Sequence, residues 1–296
     1  MALPQPEPGQ NKPRMVARRA GRALCCRYHG PMHGLLSTCL KIMPALALAA
    51  PLFVLLCAAL FPPGSVPHAG QWWPDTPSLA SLQRAWSLAG MGPALGWSLL
   101  IALSGMLLSV VVASLSALAI HLSRPLPRRL FITALVLAAS VPYTALWLPR
   151  FLLFNALGLQ DTPLPLLAPA LLGGGPLLIL LYLYSLRHIP MAQLEAARLE
   201  GLGLIGLWWQ VVLPQLRGAT LAVAFLSFAA FWGNALDPLI YLRSGAVTTA
   251  PLALHGLEVL GQGELSVWMA GAVWLILPIL FFLVAMLPWL KSQESR

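Results

Sequence analysis

The chain has 296 residues, of which 58% are hydrophobic and only 9% are charged, with a formal net charge of +9. A soluble domain carries about 25% charged residues, so this composition excludes a water-soluble globular protein. The net positive charge does not indicate a nucleic-acid partner, because it is concentrated at the termini and in alternate loops between apolar runs.

Residues 1–41 form a basic tail that carries seven Lys and Arg residues against a single acid, Glu7. We interpret this segment as a cytoplasmic tail close to anionic membrane lipid. The pair Arg18-Arg19 suggests a twin-arginine export signal as an alternative. The apolar run begins only near Ile42 and is longer than the apolar region of a signal peptide, which favours the tail.

The four cysteines do not indicate a disulfide framework or a metal site. Three lie in the tail and the fourth, Cys57, lies in the first apolar run, so we expect free thiols. The spacing of the sulfur and imidazole groups in the tail matches no zinc pattern. The groups concerned are Cys25, Cys26, His29, His33 and Cys39.

Six apolar segments follow the tail, and each is long enough to cross a bilayer as a helix. We therefore predict an all-α integral membrane protein, with a first transmembrane helix and outer loop in residues 42–94 and a five-helix core in residues 95–296. Prolines and glycines inside several segments predict interrupted helices. The segments are approximately Ile42–Phe61, Leu95–Leu122, Leu130–Phe151, Leu166–Leu186, Ala219–Tyr241 and Val267–Leu290.

The distribution of Lys and Arg predicts the orientation of these segments. Of the 18 Lys and Arg residues, 15 lie in the two termini and in the loops after the second and fourth segments. The remaining loops carry one each. Both termini and the loop 188–217 are therefore expected on the cytoplasmic side of a multi-pass membrane protein.

The loop 188–217 contains a short polar helix between long apolar segments. The stretch from Glu195 to Glu200 favours a helix of about ten residues, which Pro190 begins and Gly201 ends. A helix of about 15 Å cannot cross a bilayer, so we expect it to lie at the membrane surface. Met191, Leu194 and Ala197 recur at three-residue steps and predict one apolar face. One face would contact its own protein, and the other would be available to a partner.

Ionisable residues inside the predicted membrane region are few. Asp237, preceded by Trp232 and Asn234, lies near the outer end of the fifth segment, and Arg150 lies near the outer end of the third. Asp237 and Asn234 fit either the outer end of a polar translocation path or a helix-end cap at the membrane interface. No segment has a charge at its centre, which argues against a carrier coupled to protons or sodium.

Glu195-Ala196-Ala197, Gly201 and Leu213-Pro214 have the spacing of the cytoplasmic "EAA" loop, and the chain resembles permease subunits of ABC importers. Val211 stands where isoleucine is usual. Further likenesses point to carbohydrate importers, above all to the maltose-type second permease. They are Trp97-Ser98-Leu99, Val141-Pro142-Tyr143, Leu157–Thr162 and Phe231-Trp232-Gly233-Asn234.

This resemblance implies a type I importer fold in the bacterial inner membrane and transport by alternating access. It also implies an ATPase-coupling helix, in which Glu195 pairs with a partner cation, Ala196 and Ala197 let the helix enter a groove, and Arg198 lies on the same helix. Gly201 turns the chain, and Leu213-Pro214 sets the following bend. Trp232, Asn234 and Asp237 are the candidates for the translocation path.

The implied partners are ABC ATPase subunits, a second permease subunit, an extracytoplasmic solute-binding protein and membrane lipid. The chain has no phosphate-binding loop, so we expect ATP on the ATPase subunit and no cofactor here. No catalytic set of side chains or paired carboxylates indicates an enzyme. Two alternatives stay open: a permease for another solute such as polyamine, phosphate or iron, and a secondary carrier.

Overall fold

The computed structural model describes residue 43, residues 49–65, residue 68, residues 70–258 and residues 264–294, without the side chains of residues 287 and 289–294. The chain divides into two compact units, residues 1–54 and residues 55–296. The basic tail, with three of the four cysteines, lies outside the described residues, whereas Cys57 is buried as a free thiol. The predicted boundaries at 41/42 and 94/95 stay a prediction.

Every regular element in the described part of the chain is helical, which confirms the predicted all-α class. A 3₁₀ turn at Tyr143–Leu146 precedes α5, and a π-helical turn at Trp208–Val212 joins α9 to α10. The α-helices are α1 (Ala49–Ala59), α2 (Ala80–Leu88), α3 (Met91–Leu122), α4 (Pro125–Ala139), α5 (Trp147–Ala156), α6 (Leu164–Leu171), α7 (Pro176–Leu186), α8 (Met191–Leu199), α9 (Leu204–Leu207), α10 (Leu213–Gln215), α11 (Arg217–Trp232), α12 (Leu236–Tyr241), α13 (Ala250–Glu258) and α14 (Leu265–Glu294).

By length and composition, three described helical segments can each cross a membrane: α3, the α6–α7 pair and Leu265–Met286 of α14. The number rises to five if each of two sharply bent pairs counts as one span. The first predicted segment lies partly outside the described residues, and α1 covers only its second half.

The interruptions predicted from proline and glycine are present in the third and fourth segments but not at Pro278 in the sixth. Beyond Pro142, the 3₁₀ turn and α5 are bent by 95° from α4, far more than a kink. The run of glycines separates α6 from α7, but the pair still counts as one span. By contrast, Pro278 lies inside α14 without ending the helix.

Helix α3 packs closely against its neighbours because glycines bring the backbones together. A Cβ atom on Gly105 would lie 2.8 Å from the ring of Phe231 on α11. A Cβ atom on Gly174, between α6 and α7, would lie 2.6 Å from the Oγ atom of Ser109 on α3. Small residues at such contacts let membrane helices approach, since apolar burial provides little driving force between helices in lipid.

The largest apolar cluster joins the loop 188–217 to the membrane helices. It contains side chains of α3, α7, α8, the π-helical turn and α11, so α8 is packed against its own chain along one face. The buried members include Ala113, Leu118, Tyr182, Leu186, Leu194, Ala197, Leu207, Trp208, Val212 and Val223.

Candidate coupling helix and outer polar cluster

Helix α8 presents two different faces. Leu194 and Ala197 are buried in the large apolar cluster, whereas Glu195, Ala196 and Arg198 are exposed. This division follows from the helical repeat, which places residues three apart on the same side. Of the two small residues predicted to enter a partner's groove, only Ala196 is free to do so, because Ala197 faces the chain's own core.

The end of α8 is set by Gly201, as the sequence predicted. Its φ of +90° lies in the left-handed region, which glycine adopts without a Cβ penalty. The N–H of Gly201 donates to the carbonyl oxygen of Arg198 at 3.0 Å, and the N–H of Leu202 donates to that of Ala197 at 3.2 Å. These two bonds form a Schellman motif, which satisfies the last carbonyls of the helix and turns the chain back.

Leu213 and Pro214 lie in the helical stretch that follows, in α10. The N–H of Leu213 donates to the carbonyl oxygen of Trp208, five residues back, so one extra residue is wound into the turn before the proline. Pro214 has no N–H to donate to the turn before it. The chain then bends by 91° into α11 at Leu216, two residues after the proline.

Large apolar side chains are exposed at the end of α8 and in the stretch that follows it. Leu199 is 89% exposed, Ile205 is 73% exposed and Trp209 is 65% exposed. Together with the polar face of α8, they leave a mixed polar and apolar surface of the kind that protein interfaces use.

Trp232 lies in a packed interior position. Its ring stacks on Phe228 at 5.8 Å between centroids, and its Nε1 donates to the carbonyl oxygen of Leu275 on α14 at 3.0 Å. The side chain is almost fully buried. In this conformation Trp232 therefore joins α11 to α14 and does not face the polar residues that follow it.

Asp237 is fully buried, and its Oδ2 atom accepts three hydrogen bonds. The donors are Tyr143 Oη at 2.5 Å, Asn234 Nδ2 at 2.9 Å and Arg150 Nη2 at 3.3 Å. We call these four residues the Asp237 cluster. Asn234 Oδ1 also accepts the N–H of Asp237 at 3.1 Å, so the same amide stabilises the first turn of α12.

Arg150 is held in this cluster by more than its carboxylate partner. Its Nη1 donates to Tyr143 Oη at 2.7 Å, and its Nη2 donates to the carbonyl oxygen of Pro165 at 3.0 Å. The guanidinium carbon also lies 5.7 Å from the ring centroid of Tyr241. Such surroundings are what a buried ion pair needs to offset the loss of hydration.

Three buried polar atoms of this region have no hydrogen-bond partner among the described residues: Asp237 Oδ1, Tyr241 Oη and Trp147 Nε1. A cavity of about 10 Å³ lies nearby, lined in part by Ser98, Asn234 and Thr249. That volume is room for about one water molecule. The region therefore has unused hydrogen-bonding capacity close to a small cavity.

A second carboxylate also links the region of α5 to that of α12, but here the acceptor follows α5 and the donors follow α12. Asp161, after α5, accepts the N–H groups of Ser244 at 2.8 Å and Arg243 at 2.5 Å through Oδ1. These donors hold the pKa of the Asp161 carboxyl below its ordinary value. The guanidinium of Arg243 in turn lies over the ring of Phe151.

The sequence analysis grouped Asp237 with Asn234 and named Arg150 separately. It did not pair Arg150 with Asp237, and it named Tyr143 only within the Val141-Pro142-Tyr143 likeness. The only signal was that the two charges of opposite sign were both predicted near the outer surface. No group of three or more His, Cys, Asp or Glu side chains within the described ranges is placed to hold a metal ion. The cysteine- and histidine-containing tail lies outside those ranges.

A comparison with protein families identifies the core of the chain. Residues 105–292 match the family described as "Binding-protein-dependent transport system inner membrane component". The chain belongs to this family. It is a permease subunit of a transport system and not an enzyme, and it is a multi-pass membrane protein.

Several curated relatives resemble the permease over most of its length. A lactose transport system permease protein of Rhizobium radiobacter is 28% identical over 195 residues, covering 66% of this chain and 71% of the relative. An arabinooligosaccharides transport permease of Halalkalibacterium halodurans is 26% identical and covers 64% and 67%. A melibiose/raffinose/stachyose import permease of Bacillus subtilis is 23% identical and covers 84% and 90%.

A solved structure has the same fold. It is a chain of a bacterial ABC transporter involved in the import of the acidic polysaccharide alginate, with a TM-score of 0.68 and 17% sequence identity. The match covers 88% of the permease and 96% of that chain. The arrangement of helices is therefore that of an ABC importer permease.

Proposed function

We propose that the permease forms part of the transmembrane path for a sugar or sugar derivative and works by alternating access. The relatives that support this class are named for lactose, arabinooligosaccharides and the melibiose, raffinose and stachyose group. A binding protein outside the membrane and a second permease subunit complete the path. Membership of a binding-protein-dependent family supports the first of these partners.

The energy for transport comes from ATP bound to a separate ATPase subunit, which contacts α8. The observation that carries this proposal is the division of α8 into a buried face on Leu194 and Ala197 and an exposed face on Glu195, Ala196 and Arg198. The buried face links a partner's movement to the membrane helices, and the exposed face is available for that partner. Both termini and this loop then lie in the cytoplasm, where ATP is.

Site-directed crosslinking tests this contact, and α8 provides its own control. In a cysteine-free background, Ala196→Cys should capture an ATPase subunit from the same cell, with a yield that changes on adding ATP. The neighbouring Ala197→Cys should not, because that side chain faces the protein's own core. Equal capture at both positions, or capture at neither in an inserted protein, would contradict the proposal.

Two substitutions should separate ATP hydrolysis from transport. Glu195→Arg reverses the charge offered to the partner. Gly201→Pro cannot adopt the observed φ of +90°, since proline is fixed near −65°, so the exit from α8 must change. Gly203→Ala is the control, because Gly203 has a φ of −69° and open space at its Cβ position. Coupled transport at the normal rate in both test variants would remove the coupling role from this loop.

The Asp237 cluster lies where the sequence predicts the outer end of the path, and we assign Asn234 and Asp237 to that path. The support is a buried charge pair with unused acceptor capacity, which in a membrane segment marks a functional position more often than a structural one. Uptake of labelled sugars by the assembled complex tests the solute class. Uptake of polyamine, phosphate or iron, without sugar, would overturn it in favour of another importer type.

A further inference from the structure

Helix α3 is bound at two distant points by hydroxyl groups that reach other elements. Ser114 Oγ accepts a hydrogen bond from Trp208 Nε1 at 2.8 Å, and Ser98 Oγ accepts one from the N–H of Ala250 at 2.7 Å. The two serines are 16 residues apart, which is about 24 Å along an α-helix. One contact lies on the coupling loop, and the other lies at the start of α13.

The contact at Ser114 is specific because its hydroxyl is fixed in orientation. Ser114 Oγ donates to the carbonyl oxygen of Val110 at 2.6 Å, so its single hydrogen is in use and a lone pair remains for the indole N–H. Both side chains are buried, where a hydrogen bond is stronger than in water and its loss leaves a costly unpaired donor.

Trp208 ties this contact to the coupling helix. It begins the π-helical turn and lies in the same apolar cluster as Leu194 and Ala197, the buried face of α8. Among the described residues, its indole makes the one side-chain hydrogen bond from the segment 188–217 to α3. Trp208 therefore connects the buried face of α8 to α3, by packing and by a directed bond.

The contact at Ser98 holds the other end. Ala250 is the first residue of α13, and its N–H is one of the four amide groups that no helix can satisfy from within. Ser98 supplies the missing acceptor from a different helix, so the start of α13 is fixed to α3.

Between these points α3 is suited to move as one piece. It runs unbroken for 32 residues, and its only proline, Pro93, lies in the first turn, where proline does not disturb a helix. Its neighbours are different: the α6–α7 pair is interrupted by three glycines with positive φ, and α11 stops before α12 begins. α3 is thus the continuous helix that joins the two contacts.

We propose that α3 is the lever that transmits movement from the coupling loop to α13, and that Ser114 and Ser98 are its two positioning residues. This inference rests on the proposed function. It assigns a role to the serine of the Trp97-Ser98-Leu99 stretch, which the sequence marked only as a likeness.

The test is the number of solute molecules transported per ATP hydrolysed, measured on the full permease assembled with its ATPase subunit in vesicles. Ser114→Ala and Ser98→Ala should each lower this ratio by about two- to tenfold. That is the change in the equilibrium between coupled and uncoupled conformations that the loss of one hydrogen bond produces. Ser104→Ala is the matched control, since its hydroxyl donates only to carbonyl groups of α3 itself. The control should keep the ratio of the unsubstituted protein.

A double substitution shows whether the two residues act through the same bond, and crosslinking shows whether each variant still folds and assembles. Trp208→Phe should lower the ratio as Ser114→Ala does, and the two together should be no worse than the worse single variant, because both remove the same bond. Crosslinking at Ala196→Cys should be retained in each. An unchanged ratio in Ser114→Ala and Trp208→Phe, with crosslinking intact, overturns the lever alone. Absence of crosslinking in the unsubstituted background overturns the proposed function and the lever with it.

Discussion

Arg150 and Asp237 show how the surroundings of a charged residue decide what it contributes. The Asp237 side chain of this pair is fully buried, and Tyr143, Asn234 and the carbonyl oxygen of Pro165 make further hydrogen bonds to the pair. The ion pair between Arg84 and Glu264 is shorter, at 2.7 Å, but its arginine is half exposed. Water therefore screens the second pair, so the shorter distance does not make it the stronger contributor.

We predict that Asp237→Leu lowers the free energy of unfolding by about 3–5 kcal/mol, because it leaves Arg150 buried without its carboxylate. Arg84→Gln should cost about 1 kcal/mol or less. The double variant Asp237→Leu with Arg150→Met should recover part of the loss, since no unpaired charge remains. Thermal unfolding of the purified protein in detergent measures all three. Equal losses for Asp237→Leu and Arg84→Gln would contradict this account.

The close contact between α3 and α11 depends on a residue that has no side chain. A Cβ atom on Gly105 would lie only 2.8 Å from the carbons at the base of the Phe231 ring. The base of an aromatic ring cannot swing aside as the end of a flexible chain can, so any added carbon must separate the helices. Gly96, on the same helix, has no atom within 4 Å of its Cβ position.

We expect Gly105→Ala to destabilise the permease by about 1–3 kcal/mol, the usual cost of an overpacked core. Gly96→Ala should be neutral or stabilising by up to about 1 kcal/mol, because alanine is the better helix former. The comparison uses the midpoint of thermal unfolding of each variant in the same detergent. Phe231→Leu added to Gly105→Ala should restore part of the loss. A Gly105→Ala protein as stable as Gly96→Ala would show that α3 and α11 separate without cost.

At the scale of single helices, the sequence predicted positions better than angles. It identified α8, its end at Gly201 and the face formed by Leu194 and Ala197, because helical periodicity and a glycine stop are local properties. Met191, placed on the same face, is instead exposed. The sizes of the 95° bend beyond Pro142 and of the 91° bend at Leu216 could not be predicted from the sequence. A proline permits a bend, but the neighbouring helices decide its size.

For the whole molecule, the orientation in the membrane is the prediction with the widest consequence. With the four native cysteines replaced, a membrane-impermeant maleimide should label Thr76→Cys, in the predicted outer loop, from outside intact cells. Ala196→Cys should be labelled only in inverted membrane vesicles. Both side chains are exposed, so the difference reports sidedness and not burial. Labelling of Ala196→Cys from outside intact cells would reverse the predicted orientation.

The sequence by itself determined that this protein is an all-helical membrane protein with a short polar helix in the loop 188–217, because composition, apolar run length and residue spacing act within one segment. The tertiary structure decided which distant residues meet. Arg150 and Asp237 are separated by 87 positions, and Trp208 and Ser114 by 94. It also placed Trp232 in a packed interior and buried Ala197 in the chain's own apolar cluster. Such contacts depend on how helices rotate and cross, which the pattern along a single helix does not specify.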